Sequence, residues 1–158
     1  SSISPPLPKM KVGHPNKTAQ NRPRPQSHPF AGENRKLMDI TKTIQELKKR
    51  PEFTENVGMI LIHNGVVRDW SRQDRAKVAA LEVHPNHEKI EALRREYLQR
   101  PGIFEIIVEA TSGTLQPGDD LLYIIVAGDI RENIKPVLAE LLDRIKAEAV
   151  NKREIFSS

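Results

Sequence analysis

Behind Arg131, apolar residues recur at Ile134, Val137, Leu138, Leu141, Leu142 and Ile145. That three-and-four spacing is the period of an amphipathic helix, and such a stripe needs a sheet to lie on. An apolar strand, Leu121 to Val126, leads into it through the short linker Ala127-Gly128-Asp129-Ile130. The rest of the chain is organised around this join, because the helical stripe must find its sheet. Arg131 opens the predicted helix, Lys146 stands near its close, and Lys152-Arg153 follow within two turns. Fifteen residues separate Arg131 from Lys146, about 22 Å along a straight helix at 1.5 Å per residue. One rigid helix cannot bring both to a small ligand. The fold or a second subunit must do so if they share a task.

Upstream, Asp39 can cap a helix with apolar positions Ile40, Ile44 and Leu47, closed by Lys48-Lys49-Arg50 and stopped by Pro51. Val57 to Ile62 reads as a buried strand broken by His63-Asn64-Gly65, with Val66-Val67-Arg68 resuming as a short strand. The polar span Asp69 to Arg75 reads as a mobile loop of the kind that often carries ligand contacts. Lys77 to Val83 is the next strand, and a helix from about His87 to Gln99 turns Ile90, Leu93, Tyr97 and Leu98 inward. Pro101-Gly102 ends that helix, Ile103 to Glu109 is a strand of strong β-propensity, and turns at Gly113 and Pro117-Gly118 flank a short strand at Thr114-Leu115. The predicted order is α-β-β-β-α-β-β-β-α. The fold class is therefore α+β, with helices on one mostly antiparallel or mixed sheet.

Charge is unevenly placed. The chain of 158 residues carries a net charge of +4, but residues 1–37 hold seven Lys or Arg against Glu33 alone. The extension therefore carries +6 and the remainder −2. Seven of the twelve prolines also fall in it, so residues 1–37 read as a disordered basic extension ahead of a domain over 38–158. A nucleic-acid arm is a minor alternative, because no aromatic is interleaved for base stacking. The reading preferred is a flexible extension, or residues ahead of a natural start at Met38. Cysteine is absent, which excludes disulfides, thiolate metal sites and cysteine nucleophiles. No run is long enough for a membrane helix and no apolar leader opens the chain, so a cytoplasmic location is expected.

Ordinary catalytic signatures are missing. The eight glycines are scattered singly rather than gathered in a phosphate loop. His84-Pro85-Asn86-His87 suits a cap or turn better than a metal site, and no metal or cofactor is expected. What remains is a set of cations at structural punctuation: Arg68, Arg131, Lys146, Lys152 and Arg153. Arginine suits bidentate phosphate or carboxylate binding, and lysine can neutralise an anion or move a proton. Spacing alone favours reading Arg68 and Lys146 as ordinary solvated charges, with Lys146 complementing a helix C-terminus.

An ordered set of short motifs adds to this. They are the run Val57 to Ser71 with Gly65-x-Val67-Arg68, then Leu81-Glu82 with His84-Pro85, then Gly113-x-Leu115-x-x-Gly118-Asp119, and finally Asp143-x-x-Lys146 followed by Lys152-Arg153-Glu154. Together, over roughly Asp39 to Phe156, the set resembles the large, catalytic subunit of molybdopterin synthase, the MoaE family. The resemblance implies an α/β hammerhead-type fold and a homodimer within a heterotetramer. It implies a partner, a small ubiquitin-like sulfur-carrier subunit with a C-terminal Gly-Gly thiocarboxylate. The implied activity is sulfur transfer to cyclic pyranopterin monophosphate, giving the dithiolene of molybdopterin. By that resemblance Lys146 is the principal catalytic lysine and Lys152 assists it. Arg68 and Arg131 hold anionic oxygens of the substrate, Val66 and Val67 line the site, Ile130 stands at a substrate-binding position, and Arg153 and Glu154 border it. The chain departs from the family pattern in having Ile130 where a histidine is usual, Val66 for a common lysine, and His63 for an aromatic. It is also one residue shorter ahead of Lys152, where Ala149-Val150-Asn151 replaces Pro-x-Trp. These departures leave an alternative: a diverged, non-catalytic binding or regulatory module that keeps the fold and the small-subunit groove.

Overall fold

The computed structural model describes residues 38–157, and the extension expected to be disordered lies outside the described residues. Helix α1 (Ile40–Lys48) starts where the Asp39 carboxylate accepts from the Lys42 N–H at 3.1 Å, satisfying one of the unpaired donors of the first turn. A short helix α2 (Phe53–Asn56) follows, then strands β1 (Met59–Val66) and β2 (Val78–Pro85), helix α3 (His87–Leu98), and strands β3 (Ile103–Ala110), β4 (Gly113–Leu115) and β5 (Asp120–Gly128). Helix α4 (Arg131–Arg144) runs into a π-helical turn at Ile145–Ala149 and a last strand, β6 (Val150–Phe156).

The strands form two antiparallel three-stranded sheets, β1-β5-β3 and β4-β2-β6. An α+β fold was expected, but as one sheet. The division follows from β6, which pairs with β2 across seventy residues of chain and gives the second sheet its third strand. Strand β5 is the centre of the first sheet, and Leu121 to Gly128 are all buried, as a strand covered on both faces must be. Ile134, Val137, Leu141 and Ile145 of the helical stripe are at most 1% exposed and share one core with Ile106, Ile124 and Val126 of the first sheet. At roughly 1.5–3 kcal/mol per large apolar side chain withdrawn from water, this stripe is a principal source of stability. The join itself needs Gly128, because a Cβ there would meet the Ile134 methyl at 2.1 Å and the Gly102 carbonyl at 2.3 Å.

Three expectations are corrected. His63-Asn64-Gly65 does not break the first strand, because β5 supplies a continuous ladder through it, and the irregularity is confined to a register shift between Gly65 and Val66. Val66 therefore ends β1 instead of opening a separate strand, while Val67 is tied to the turn at Asp119 and Gly118 by two backbone hydrogen bonds. The basic residues after Lys146 do not follow a helix. The chain leaves the helix through the π-turn, and Lys152 and Arg153 lie on a strand.

Candidate active site

The ends of both sheets, the close of α4 and the loop after β1 surround an open cleft of about 760 Å³, within the range of small-molecule sites. Each wall places its side chains for a local reason. Gly65 and Val66 come from the bulged end of β1, and Val67 is 5% exposed beneath the following loop. That loop is a closed turn rather than an open excursion. Ser71 and Ala76 share a backbone bond of 2.8 Å, the Arg75 N–H reaches the Ser71 carbonyl at 2.9 Å, and Trp70 bridges to Lys77. Arg75 takes φ +61 to make the turn. The Trp70 ring lies between two guanidinium groups, with Arg68 at 4.4 Å and Arg75 at 4.0 Å from its centroid. Stacking of this kind fixes an arginine without a carboxylate partner.

The opposite wall comes from the chain's last turn and strand. Asp143, Lys146 and Ala147 reach the cleft from the end of α4 and the π-turn, and Lys152 and Glu154 from β6. Residues two apart on a strand share a face. Lys152 and Glu154 therefore point into the cleft while Arg153 points away and bonds Glu82 at 2.6 Å. Glu154 is held by the buried Ser71, whose hydroxyl donates to its Oε1 at 3.0 Å. Beneath, Lys146 and Lys152 flank a narrow apolar crevice of about 10 Å³ lined also by Val83, Leu121 and Val150.

The electrostatic character is cationic. Arg68, Arg72, Lys146 and Lys152 line this space together with Asp143 and Glu154. None of the four cations is in an ion pair among the described residues. Lys152 is exposed along part of its length, but burial of its charged end lowers its pKa below the usual lysine value. The positive charges of Lys146, Arg68 and Arg72 push it the same way, against an opposing pull from Glu154. A lysine so placed gives up its proton more readily than one in water and gains from any bound anion. Among the described residues no group of three His, Asp or Glu side chains is arranged to hold a metal ion.

The structure thus brings Val66, Val67, Arg68, Lys146, Lys152 and Glu154 together. It does not bring Ile130, Arg131 or Arg153 into this cleft within one copy of the chain. Ile130 is 53% exposed and Arg131, its side chain 75% exposed, faces Glu132 at 3.5 Å, because both begin α4 while Lys146 lies beyond its end. Sequence reasoning marked the Asp69–Arg75 loop but missed Trp70 and Arg72 individually. The signal available was the density of arginine around the chain's single tryptophan.

The sequence matches the family described as MoaE protein over residues 34–148. No curated protein matches it significantly in sequence. Among solved structures, the chain is similar to molybdopterin synthase from Staphylococcus aureus, with 22% identity and a TM-score of 0.61 over 75% of this chain and 85% of that one. It is similar to molybdopterin cofactor biosynthesis protein E from Burkholderia multivorans at 22% identity and a TM-score of 0.59, covering 77% of this chain and 86% of that one. A third similar chain comes from the complex of subunits 1 and 2 of the molybdopterin-converting factor of Helicobacter pylori. There the identity is 14% and the TM-score 0.56, over 75% of this chain and 80% of that one. At these identities the structural matches establish the fold.

Proposed function

The chain belongs to the MoaE protein family, and from that membership we propose that it is the large, sulfur-transferring subunit of a molybdopterin synthase, acting in molybdenum cofactor biosynthesis. The observation that carries the proposal is the convergence of Arg68, Arg72, Lys146 and Lys152 on one cleft without carboxylate partners of their own. Both the donor, a small subunit's C-terminal thiocarboxylate, and the acceptor, cyclic pyranopterin monophosphate, are anionic. Bringing them together requires cations placed in advance, and charges fixed in a partly desolvated cleft lower the barrier more than the same charges in water.

In this reading a small ubiquitin-like subunit inserts its Gly-Gly terminus beside Lys146, which neutralises the thiocarboxylate. The thiocarboxylate sulfur bonds to a side-chain carbon of the pterin as the carbon–oxygen bond there breaks and the oxygen leaves with a proton, and water then cleaves the acyl carbon–sulfur bond, returning the small subunit's carboxylate and leaving a thiolate on the pterin. Lys152, with its lowered proton affinity, exchanges a proton with the reacting oxygens, while Arg68 and Arg72 hold the phosphate. Two rounds complete the dithiolene. Arg131 is too distant to serve the cleft of its own chain, so it enters from a second copy in a homodimer, with the small subunits completing a heterotetramer.

The test combines the protein with a thiocarboxylated small subunit and cyclic pyranopterin monophosphate and follows the dithiolene product by mass. Product that vanishes with Lys146→Ala supports the assignment, and product undiminished by that change sinks it. Complex formation without product would support the second reading, a binding module that has lost turnover, which the exposed Ile130 in place of a histidine favours.

A further inference from the structure

The chain's single tryptophan sits in the cleft wall and carries two cations. Arg68 stands 4.4 Å and Arg75 4.0 Å from the centroid of the Trp70 ring. At these distances a guanidinium is held by the negative face of an indole. Carboxylates were at hand for the same task. The loop contains Asp69 and Asp74, but Asp69 pairs with Lys77 at 3.7 Å and Asp74 accepts the Ala76 N–H at 3.0 Å. Neither forms an ion pair with an arginine among the described residues. The two ways of holding an arginine differ chemically. A carboxylate neutralises the guanidinium and occupies the N–H donors that a phosphate would use, whereas a ring face steadies the charge and leaves those donors free.

The backbone keeps this stack in place. Val67 is tied to Asp119 and Gly118 by bonds of 2.9 and 2.8 Å, which fixes the root of Arg68. On either side of Trp70, the Asp69 carbonyl accepts the Val78 N–H and the Ser71 N–H donates to the Ala76 carbonyl, each at 2.8 Å. The Ser71 hydroxyl anchors the same turn to Glu154 of β6. Arg75 adopts φ +61 in the turn that carries it back to the ring, a left-handed conformation that a residue with a Cβ keeps only where its surroundings hold it.

We infer that Trp70 is the positioning residue of the anion site: its ring holds the Arg68 guanidinium at the cleft wall before a phosphate arrives, and Arg75, stacked on the same ring, steadies it. That the phosphate belongs to a pterin rests on the proposed function, but the stack and its effect on a phosphate do not. An arginine left free gives up rotamer freedom when an anion binds, and one already stacked gives up less. The ring therefore raises affinity without touching the ligand.

The test uses the full chain, with its arginine side chains isotope-labelled for NMR, and inorganic phosphate as the probe. In the wild type the Trp70 ring current should displace the Arg68 and Arg75 signals upfield, and an Arg68 signal at the ordinary arginine position would overturn the inference without any variant. Added phosphate should shift the Arg68 signal saturably. Trp70→Leu should abolish the upfield displacement and weaken phosphate binding by about threefold to tenfold. Trp70→Phe keeps an aromatic face, so it should retain most of both. Phosphate affinity unchanged in Trp70→Leu, or reduced equally in Trp70→Phe, would overturn the inference, as would an Arg68 signal that phosphate leaves unmoved. In sulfur transfer, Trp70→Leu should raise KM for the pterin by a similar factor with kcat little changed. A wild type that binds phosphate in this way but transfers no sulfur would defeat the proposed function and leave the role of Trp70 standing.

Discussion

Two clusters of positive charge on this molecule are built in opposite ways. On the helical side, Arg94 bonds Glu91, Glu105 and the Ile106 carbonyl, Arg100 bonds Glu140, and Arg144 bonds Glu96 and Glu148 while lying over the Tyr97 ring. In the cleft, Arg68, Arg72, Lys146 and Lys152 crowd together, and Trp70 rather than a carboxylate steadies Arg68. The first arrangement closes its electrostatics within the chain. The second leaves repulsion standing, which costs stability and is retained where an anion must arrive. Charge in the first region belongs to the fold, and charge in the second is left without a partner among the described residues, as the proposed function requires.

Substitutions can break that contrast, and the largest effect is expected at Lys146. Lys146→Ala should reduce sulfur transfer on the order of a thousandfold, yet leave the thermal unfolding midpoint nearly unchanged, since no ion pair is lost. A large drop in that midpoint would show the lysine to be structural. Arg68→Ala should weaken binding of the pterin phosphate by about tenfold to a hundredfold, as for a lost charge-assisted contact of roughly 1.5–3 kcal/mol, measured as KM or by calorimetry. Arg94→Ala should do the reverse. It leaves the partly buried Glu105 carboxylate and the Ile106 carbonyl short of a donor, costing roughly 1–3 kcal/mol in denaturant unfolding with no change in KM. Lys152→Met should stabilise the fold by only a few tenths of a kcal/mol, because solvent screens a side chain this exposed, while impairing turnover. Destabilisation by that change would contradict the account of a strained cationic cleft.

The smallest effect is in the pH dependence, where the two regions should part again. Burial opposes ionisation of Glu105, but the Ile106 N–H and the Arg50 guanidinium outweigh it and lower its pKa. Its contribution is therefore complete above the ordinary carboxylate value and is lost as pH falls through the lower folded one. His63 and Lys152 are cationic groups with lowered values. For each, the unfolded chain binds more protons in the window just below the ordinary value, so stability rises with pH there. The His63 window lies below 6.5 and the Lys152 window below 10.5. Chemical denaturation across pH, repeated with Lys146→Met, should flatten the slopes in those two windows and spare the Glu105 range.

How much of this was legible beforehand depended on whether a residue's role is set locally. The stripe from Ile134 to Ile145 announces its helix because burial imposes a 3.6-residue period on the chain itself, and Asp39 caps its own first turn. Strand β6 gave no such sign. Its sequence, Val-Asn-Lys-Arg-Glu-Ile-Phe, is polar, and its pairing with β2 is fixed by contacts seventy residues away. Arg153 was expected at the site from the resemblance, and within one chain the strand turns it to the face opposite Lys152 and Glu154, where it bonds Glu82. Lys146, Lys152 and Arg68 were legible through the ordered motifs. Trp70 and Arg72 were not, since a polar loop carries no period from which direction can be read.

The π-turn between α4 and β6 makes the site a matter of counting. An α-helix turns about 100° per residue and a strand reverses its face at every step. Between Ile145 and Val150, adding one residue would therefore exchange Lys152 and Glu154 for Asn151 and Arg153, and deleting one would exchange them for Arg153 and Ile155. The Asp69–Lys77 loop can drift in length with far less consequence, because nothing beyond it depends on parity. By the resemblance this chain is itself one residue shorter than the family pattern just ahead of Lys152, so the face that β6 turns to the cleft is where it should differ most from its relatives. There, a change of chain length would act as a change of chemistry.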